Sequence, residues 1–169
     1  MNVKQNYLIS DIKIRPIQHA DNKDLAVIVR NTLTEFGAAR PGTVFFDSST
    51  DALFELFRTP QSAYFVAEDD GKILGGGGIF PTEGLPEGTC ELVKMYLLPE
   101  ARGIGLGRTL IEKCLETASE FGFHQVYLET LDELHLALKI YAKFGFEYLS
   151  APLGQTKHFG CGLWMLKKL

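Results

Sequence analysis

The chain lacks most of the features that would take it out of the ordinary globular class. It has only three cysteines, Cys90, Cys114 and Cys161, in 169 residues. Three scattered thiols cannot all pair, which excludes a disulfide-stapled scaffold and points to a reducing cytoplasm. Long apolar runs are missing too: the longest, Ile73 to Phe80, has eight residues, half of them glycine. A bilayer span needs about 20, so no membrane segment is expected. The N-terminus carries no apolar stretch of signal length, since Tyr7, Leu8 and Ile9 give way to Ser10 and Asp11, and a cleaved secretory signal is not expected. Basic excess is absent: 17 Lys and Arg face 21 Asp and Glu, a net charge of −4, which argues against a nucleic-acid surface. No internal repeat or low-complexity tract occurs. What is present is 46% hydrophobic and 22% charged residues, enough to bury a core, and the length predicts one domain over residues 1–169.

Period-2 and period-3.6 segments alternate along the chain, as in α/β or α+β folds. Ile12, Ile14 and Pro16-Ile17 read as a strand. Leu25, Ile28, Val29, Thr32, Leu33 and Phe36 form one helical stripe, with Asp21 as N-cap and Gly37 as stop. Residues 38–49 have no period and form a loop, in which Phe45 and Phe46 are candidate pocket-wall residues or core anchors. A short helix over 51–57 ends before Pro60. Residues 63–68 and 72–80 around Asp70-Gly71 predict a hairpin, and the glycines Gly75 to Gly78 mark a bulge or a close backbone approach. Residues 90–98 read as a strand, 105–121 as a helix with Leu106, Leu110, Cys114 and Ala118 on one face, and 125–130 as a strand parallel to the first. A helix over 134–144 closed by Gly145 and two strands complete the chain, the last being interior to the sheet.

The chemistry concentrates in Glu100-Ala-Arg-Gly-Ile-Gly-Leu-Gly-Arg108. Alternate glycines between a strand and a helix free backbone N–H groups to close on an anion, the helix N-terminus adds partial positive charge, and Arg102 and Arg108 add whole charges. This suits a pyrophosphate. A dinucleotide fingerprint fits Gly103 and Gly105, with Glu129 at the end of the next strand, but Arg108 stands where its third glycine belongs. A P-loop fails because Arg102 and Arg108 stand where its first glycine and its lysine belong. His158 and Cys161 have zinc-compatible spacing but no second pair, so no metal is expected.

Arg102-Gly-Ile-Gly-Leu-Gly107 resembles the R/Q-x-x-G-x-G/A acetyl-coenzyme A motif of the GCN5-related N-acetyltransferases. Val93-Lys-Met-Tyr-Leu-Leu-Pro-Glu100, Val126 to Thr130 and the segment from Ala137 to Glu147 are similar to the family's later motifs. Leu134 departs from the pattern, standing where the family often has asparagine. The resemblance implies a mixed, mostly antiparallel sheet of about seven strands with four helices, splayed between strands 4 and 5. It implies acetyl-CoA as donor, held by Met95, Leu97 and Leu98 on the strand edge, by Arg102, Gly103, Ile104, Gly105, Leu106, Gly107, Arg108 and Thr109 in the turn, and by Tyr141. It also implies transfer of the acetyl group to a primary amine of a small molecule, peptide or protein by direct attack, the oxyanion donor being a backbone N–H near Leu97.

Glu91 matches the place of a glutamate base and, six residues before Leu97, is expected on the same strand face. Its alternative is a solvated edge acid. Tyr141 matches the proton donor to the departing thiolate, with a core aromatic as the alternative. Acceptor contacts are expected from Phe45, Phe46, Glu129 and His158, with His158 the second candidate base. A non-catalytic acyl-CoA-binding or sensory module is the competing class, and assembly as a homodimer is left open.

Overall fold

The computed structural model describes residues 7–169. The strands are β1 (Lys13–Pro16), β2 (Ala63–Asp69), β3 (Lys72–Phe80), β4 (Thr89–Leu97), β5 (Gln125–Thr130), β6 (Glu147–Tyr148) and β7 (Leu163–Lys168). The helices are α1 (Asn22–Glu35), α2 (Leu53–Leu56), α3 (Leu106–Glu120) and α4 (His135–Lys143). One sheet runs in the order β1-β2-β3-β4-β5-β7-β6. Every neighbouring pair is antiparallel except β4 and β5, which are parallel and joined through α3. None of the helices is long and apolar enough to cross a membrane among the described residues.

Alternation along the strands builds two cores. Phe65 and Ala67 of β2, Leu74 of β3 and Cys90 and Leu92 of β4 pack with Leu110, Cys114 and Ala118 of α3 and with Tyr141 of α4. Tyr64, Val66 and Ile73 face the other way and pack with Leu25 and Ile28 of α1 and with Leu53 of α2. The α1 stripe is buried as its 3.6-residue period predicts. Asp21 precedes that helix but makes no side-chain cap. Its carboxylate instead accepts from the Gln18 N–H and from Arg15, because the chain enters α1 through a 3-10 turn at His19–Asp21. The β2–β3 turn has positive φ at Asp70 (46°) and Gly71 (81°), as a primed two-residue turn requires. β7 lies between β5 and β6 as expected, but the two residues of β6 cover little of it, and Met165 is its one fully buried residue.

The glycine run in β3 and the middle of β4 form one device. Gly76 pairs with Tyr96 and Gly78 with Val93, so the one residue between them on β3, Gly77, opposes two on β4, Lys94 and Met95. The extra residue bulges out with Lys94 at φ 51°. Across β3, the ring of Tyr64 lies over Gly76 and Gly78, where a Cβ would come within 2.6 and 2.8 Å of it. Its hydroxyl donates to the Lys94 carbonyl at 2.8 Å. On the opposite face the Met95 side chain fills the place a Cβ on Gly77 would take. The bulge reverses the in-out alternation of β4: Leu92 and Leu97 pack on the α3 side, Val93 and Tyr96 on the α1 side. Glu91 alternates with Leu92 ahead of the bulge, so Glu91 and Leu97 do not share a face, contrary to the simple period-2 reading.

Candidate active site

β4 and β5 pair only over Thr89–Glu91 and Gln125–Tyr127. Past Tyr127, β5 stays paired with β7 as far as Thr130, so the two parallel strands part and leave a gap in the sheet. A cavity of about 810 Å³ occupies this gap and reaches both faces.

At one mouth lies the turn into α3. Gly103 and Gly105 have φ of 79° and 89°, left-handed values that side chains disfavour. A Cβ on Gly103 would meet nothing within 4 Å, and one on Gly107 would come no nearer than 3.6 Å to Leu97. The backbone there is open to a ligand, and the first N–H groups of a 15-residue helix face it without intrahelical partners. The residues present therefore fit a large anionic donor. Arg108 is exposed and pairs with Glu112 one turn on. Arg102 is differently employed: its guanidinium donates to the Leu97 carbonyl and to Glu35 of α1, which ties the end of β4 to α1. Ile104, Leu106, Thr109 and Leu98 do not line the cavity. Leu106 is in the core, and the Thr109 hydroxyl donates to the Gly105 carbonyl.

Midway, Met95, Leu97, Leu134, Ile140 and Tyr141 line the passage. The Leu98 N–H donates to Leu74 of β3 at 2.8 Å. Strand alternation therefore turns the Leu97 N–H away from β3, toward the gap that β5 has vacated. Tyr141 is 7% exposed, packs edge-on against Phe146, and has no hydrogen-bond partner for its hydroxyl among the described residues. Burial pushes its phenol above the ordinary range.

At the other mouth the structure brings Glu91, Glu129 and His158 together, with one ligand-capable atom of each within 4.8 Å of the others. This is the group among the described residues with the donors to hold a metal ion, and Cys161 is not part of it. Each is oriented by a neighbour. Thr82 donates to Glu91, Tyr127 and Thr156 donate to the two oxygens of Glu129, and His158 Nε2 meets Asp47 Oδ2 at 2.8 Å. Burial pushes the Glu91 carboxyl up to about 7, opposed by the Thr82 hydrogen bond and reinforced by the charge of Glu129. At His158 burial works against the cation, yet the Asp47 hydrogen bond and charge, with Glu91, raise the pKa above the usual imidazole value. Lys94 places Nζ 3.3 Å from Asp47 Oδ2, and burial lowers its pKa.

Two expected acceptor contacts are not brought here. Phe45 and Phe46 lie outside the cavity lining. The Phe45 ring packs with Val29 and Leu33 and its carbonyl accepts from Arg30, while Phe46 is 62% exposed. Their loop instead supplies Thr43, Val44, Asp47 and Ser49 to the wall. Asp47, Thr82, Lys94 and Thr156 escaped sequence reading. Of these only Lys94 carried a signal, a charge inside the apolar run from Leu92 to Leu98.

The family model described as "Acetyltransferase (GNAT) family" matches residues 30–146. The chain is 39% identical over 157 residues to "Uncharacterized N-acetyltransferase YjgM" of Escherichia coli K12, covering 92% of this chain and 94% of that one. In fold it is similar to a GNAT-family acetyltransferase from Staphylococcus aureus Mu50, with a TM-score of 0.82 at 18% identity, covering 93% and 98% of the two chains. It is also similar to yncA of Salmonella typhimurium, solved with its cofactor acetyl-CoA, with a TM-score of 0.73 at 20% identity and 94% coverage of each.

Proposed function

The chain belongs to the GNAT acetyltransferase family and is an acetyl-CoA-dependent acyltransferase, and from that premise we propose that it works as one domain to acetylate a primary amine by direct attack within a ternary complex. The observation that carries this reading is the continuous cavity through the β4–β5 gap, with a phosphate-compatible turn at one mouth and buried titratable groups at the other. Acetyl-CoA, when bound, supplies an acyl carbonyl activated by a thiol leaving group. Gly103, Gly105 and Gly107 offer backbone N–H groups to its phosphates, with Arg108 nearby as an exposed cation.

Glu91 acts as base. A carboxyl raised to about 7 takes a proton far better than an ordinary one of about 4.3, while still ionised in half or more of the molecules at neutral pH. The Leu97 N–H points at the passage where charge develops on oxygen. Tyr141 holds a proton at its hydroxyl on the same passage, available to the sulfur as the C–S bond opens. Its burial keeps the phenol protonated until then. Three free thiols support a reducing cytoplasm as the place of work.

The competing class, a module that binds acyl-CoA without turnover, is less well supported, because a buried base and an unpartnered tyrosine hydroxyl share the cavity. Thiol release from acetyl-CoA in the presence of a panel of amines decides the matter. Release that depends on the amine supports the enzyme reading. Calorimetric binding of acetyl-CoA with no release from any amine refutes it.

A further inference from the structure

The acceptor mouth is closed over by two loops that meet each other. Residues 36–52, between α1 and α2, touch residues 149–162, between β6 and β7. The Gly160 N–H donates to the Gly42 carbonyl at 2.9 Å, and the Phe159 ring lies so near Gly42 that a Cβ there would stand 2.6 Å from it. Arg40 ties the β6–β7 loop to the start of α4 by bonding both the Gly160 carbonyl and Glu133. Below this bridge His158 reaches across to Asp47. A polypeptide lying between the loops would have to break all of these contacts, whereas a small molecule fits beneath them.

Under the bridge His158 stands between two acids, 2.8 Å from Asp47 and 3.8 Å from Glu129. Lys94 and His158 both address the same oxygen of Asp47, at 3.3 and 2.8 Å. Two cations thus share one carboxylate, and two of the three Lys94 ammonium hydrogens have no carboxylate among the described residues. The Lys94 side chain is only 5% exposed, so water does little to solvate them. Beside them stand Glu91 and Glu129, whose side-chain oxygens lie close to His158. This second side carries the excess of negative charge.

We propose that the acceptor is a small amine that also carries a carboxylate, of the α-amino acid type, with its carboxylate on Lys94 and its amine against Glu91. The assignment rests on the acetyltransferase reading above and narrows its substrate class. A buried lysine whose charge is disfavoured by desolvation gains most from a second anion, since a charge-assisted hydrogen bond is strongest where water is excluded. Glu91 and Lys94 are three residues apart on one strand, and their charges influence each other. The bulge at Lys94 turns it toward the cavity that Glu91 also lines, and an α-amino acid, with its amine and carboxylate on one carbon, would set each group against its opposite charge.

The test measures kcat/KM for free amino acids, for the corresponding amino acid amides, for the decarboxylated amines, and for peptides beginning with the same residues. Free acids are expected to exceed amides and amines by tenfold or more, with peptides weaker still. Lys94→Gln is expected to bring the acid-to-amide ratio toward one, and the ratio in the unaltered protein decides the point should that variant fail to fold. Amides or peptides turned over as well as free acids would overturn the acceptor assignment and leave the acetyltransferase reading standing. No thiol release with any amine, while acetyl-CoA still binds, would refute both.

Discussion

Gly107→Ala separates donor binding from stability because the two should move in opposite directions. Gly107 is the second residue of α3, its φ is not in the left-handed region, and an added Cβ would sit 3.6 Å from Leu97 Cδ1 and 4.0 Å from Ile140 Cδ1, ordinary contact distances. The free protein should therefore gain the usual helical advantage of alanine over glycine, about 0.5–1 kcal/mol. For a chain of this size that is a rise in Tm of about 1–4 °C. The same methyl group projects into the cavity that Gly107 lines and holds an incoming phosphate away from the first N–H groups of the helix. Loss of one charge-assisted hydrogen bond, about 1.5–3 kcal/mol, weakens binding about tenfold to a hundredfold. Differential scanning calorimetry of the free protein and isothermal titration with acetyl-CoA read the two effects separately. A raised Tm with unchanged affinity would refute the assignment of this turn to the phosphates. A lowered Tm would show instead that the open space beside Gly107 is needed by the fold.

Three further variants have expected outcomes. Glu91→Gln should abolish the acidic limb of kcat/KM, which in the unaltered enzyme should fall as pH drops through about 7; an unchanged limb would pass the base role to His158. Because the Glu91 pKa is raised on folding, its ionisation costs stability progressively as pH climbs from about 4.3 through 7, so the same variant should be the more stable one at pH 8, by at most about 4 kcal/mol. Tyr141→Phe keeps the ring against Phe146 and removes the proton, so kcat should fall by roughly 10²-fold or more with acetyl-CoA affinity nearly intact; normal turnover in a variant that melts early would identify a core aromatic only. Tyr64→Phe strips the hydrogen bond from the buried Lys94 carbonyl and should cost about 1–3 kcal/mol in urea unfolding, whereas unchanged stability would show that the hydroxyl does not hold the bulge.

Local chemistry accounts for what could be read from the sequence. The α1 stripe, the Asp70-Gly71 turn and the glycine turn ahead of α3 each state their conformation within a few residues, through periodicity, positive φ and helix-end polarity. Each is found in the structure. The acceptor chamber was half visible for the opposite reason. Asp47 meets Lys94 and His158 across 47 and 111 residues of chain, and nothing local to an aperiodic loop says which of its side chains turns inward. The aromatic pair Phe45-Phe46 is the conspicuous feature of that loop, yet the acid that follows it reaches the cavity, because Phe45 is spent on the core beneath α1.

Two oddities in the sequence, four consecutive glycines in one strand and a lysine inside the apolar run of the next, have a single cause. A bulge in β4 needs a partner strand that can be approached closely, and Gly76 and Gly78 provide this by letting the Tyr64 ring cross β3 to reach the bulged carbonyl. Any side chain at those positions would displace the ring, and the carbonyl would lose its donor in a place water does not reach. The extra residue then rotates Lys94 into the cavity and, by inverting the alternation, sends the Leu97 side chain into the α3 core while its N–H faces the gap. A strictly alternating β4 would instead have put Leu97 on the face of Glu91, with its side chain where the acceptor enters. The glycines do not line the cavity and still decide which groups of β4 it receives.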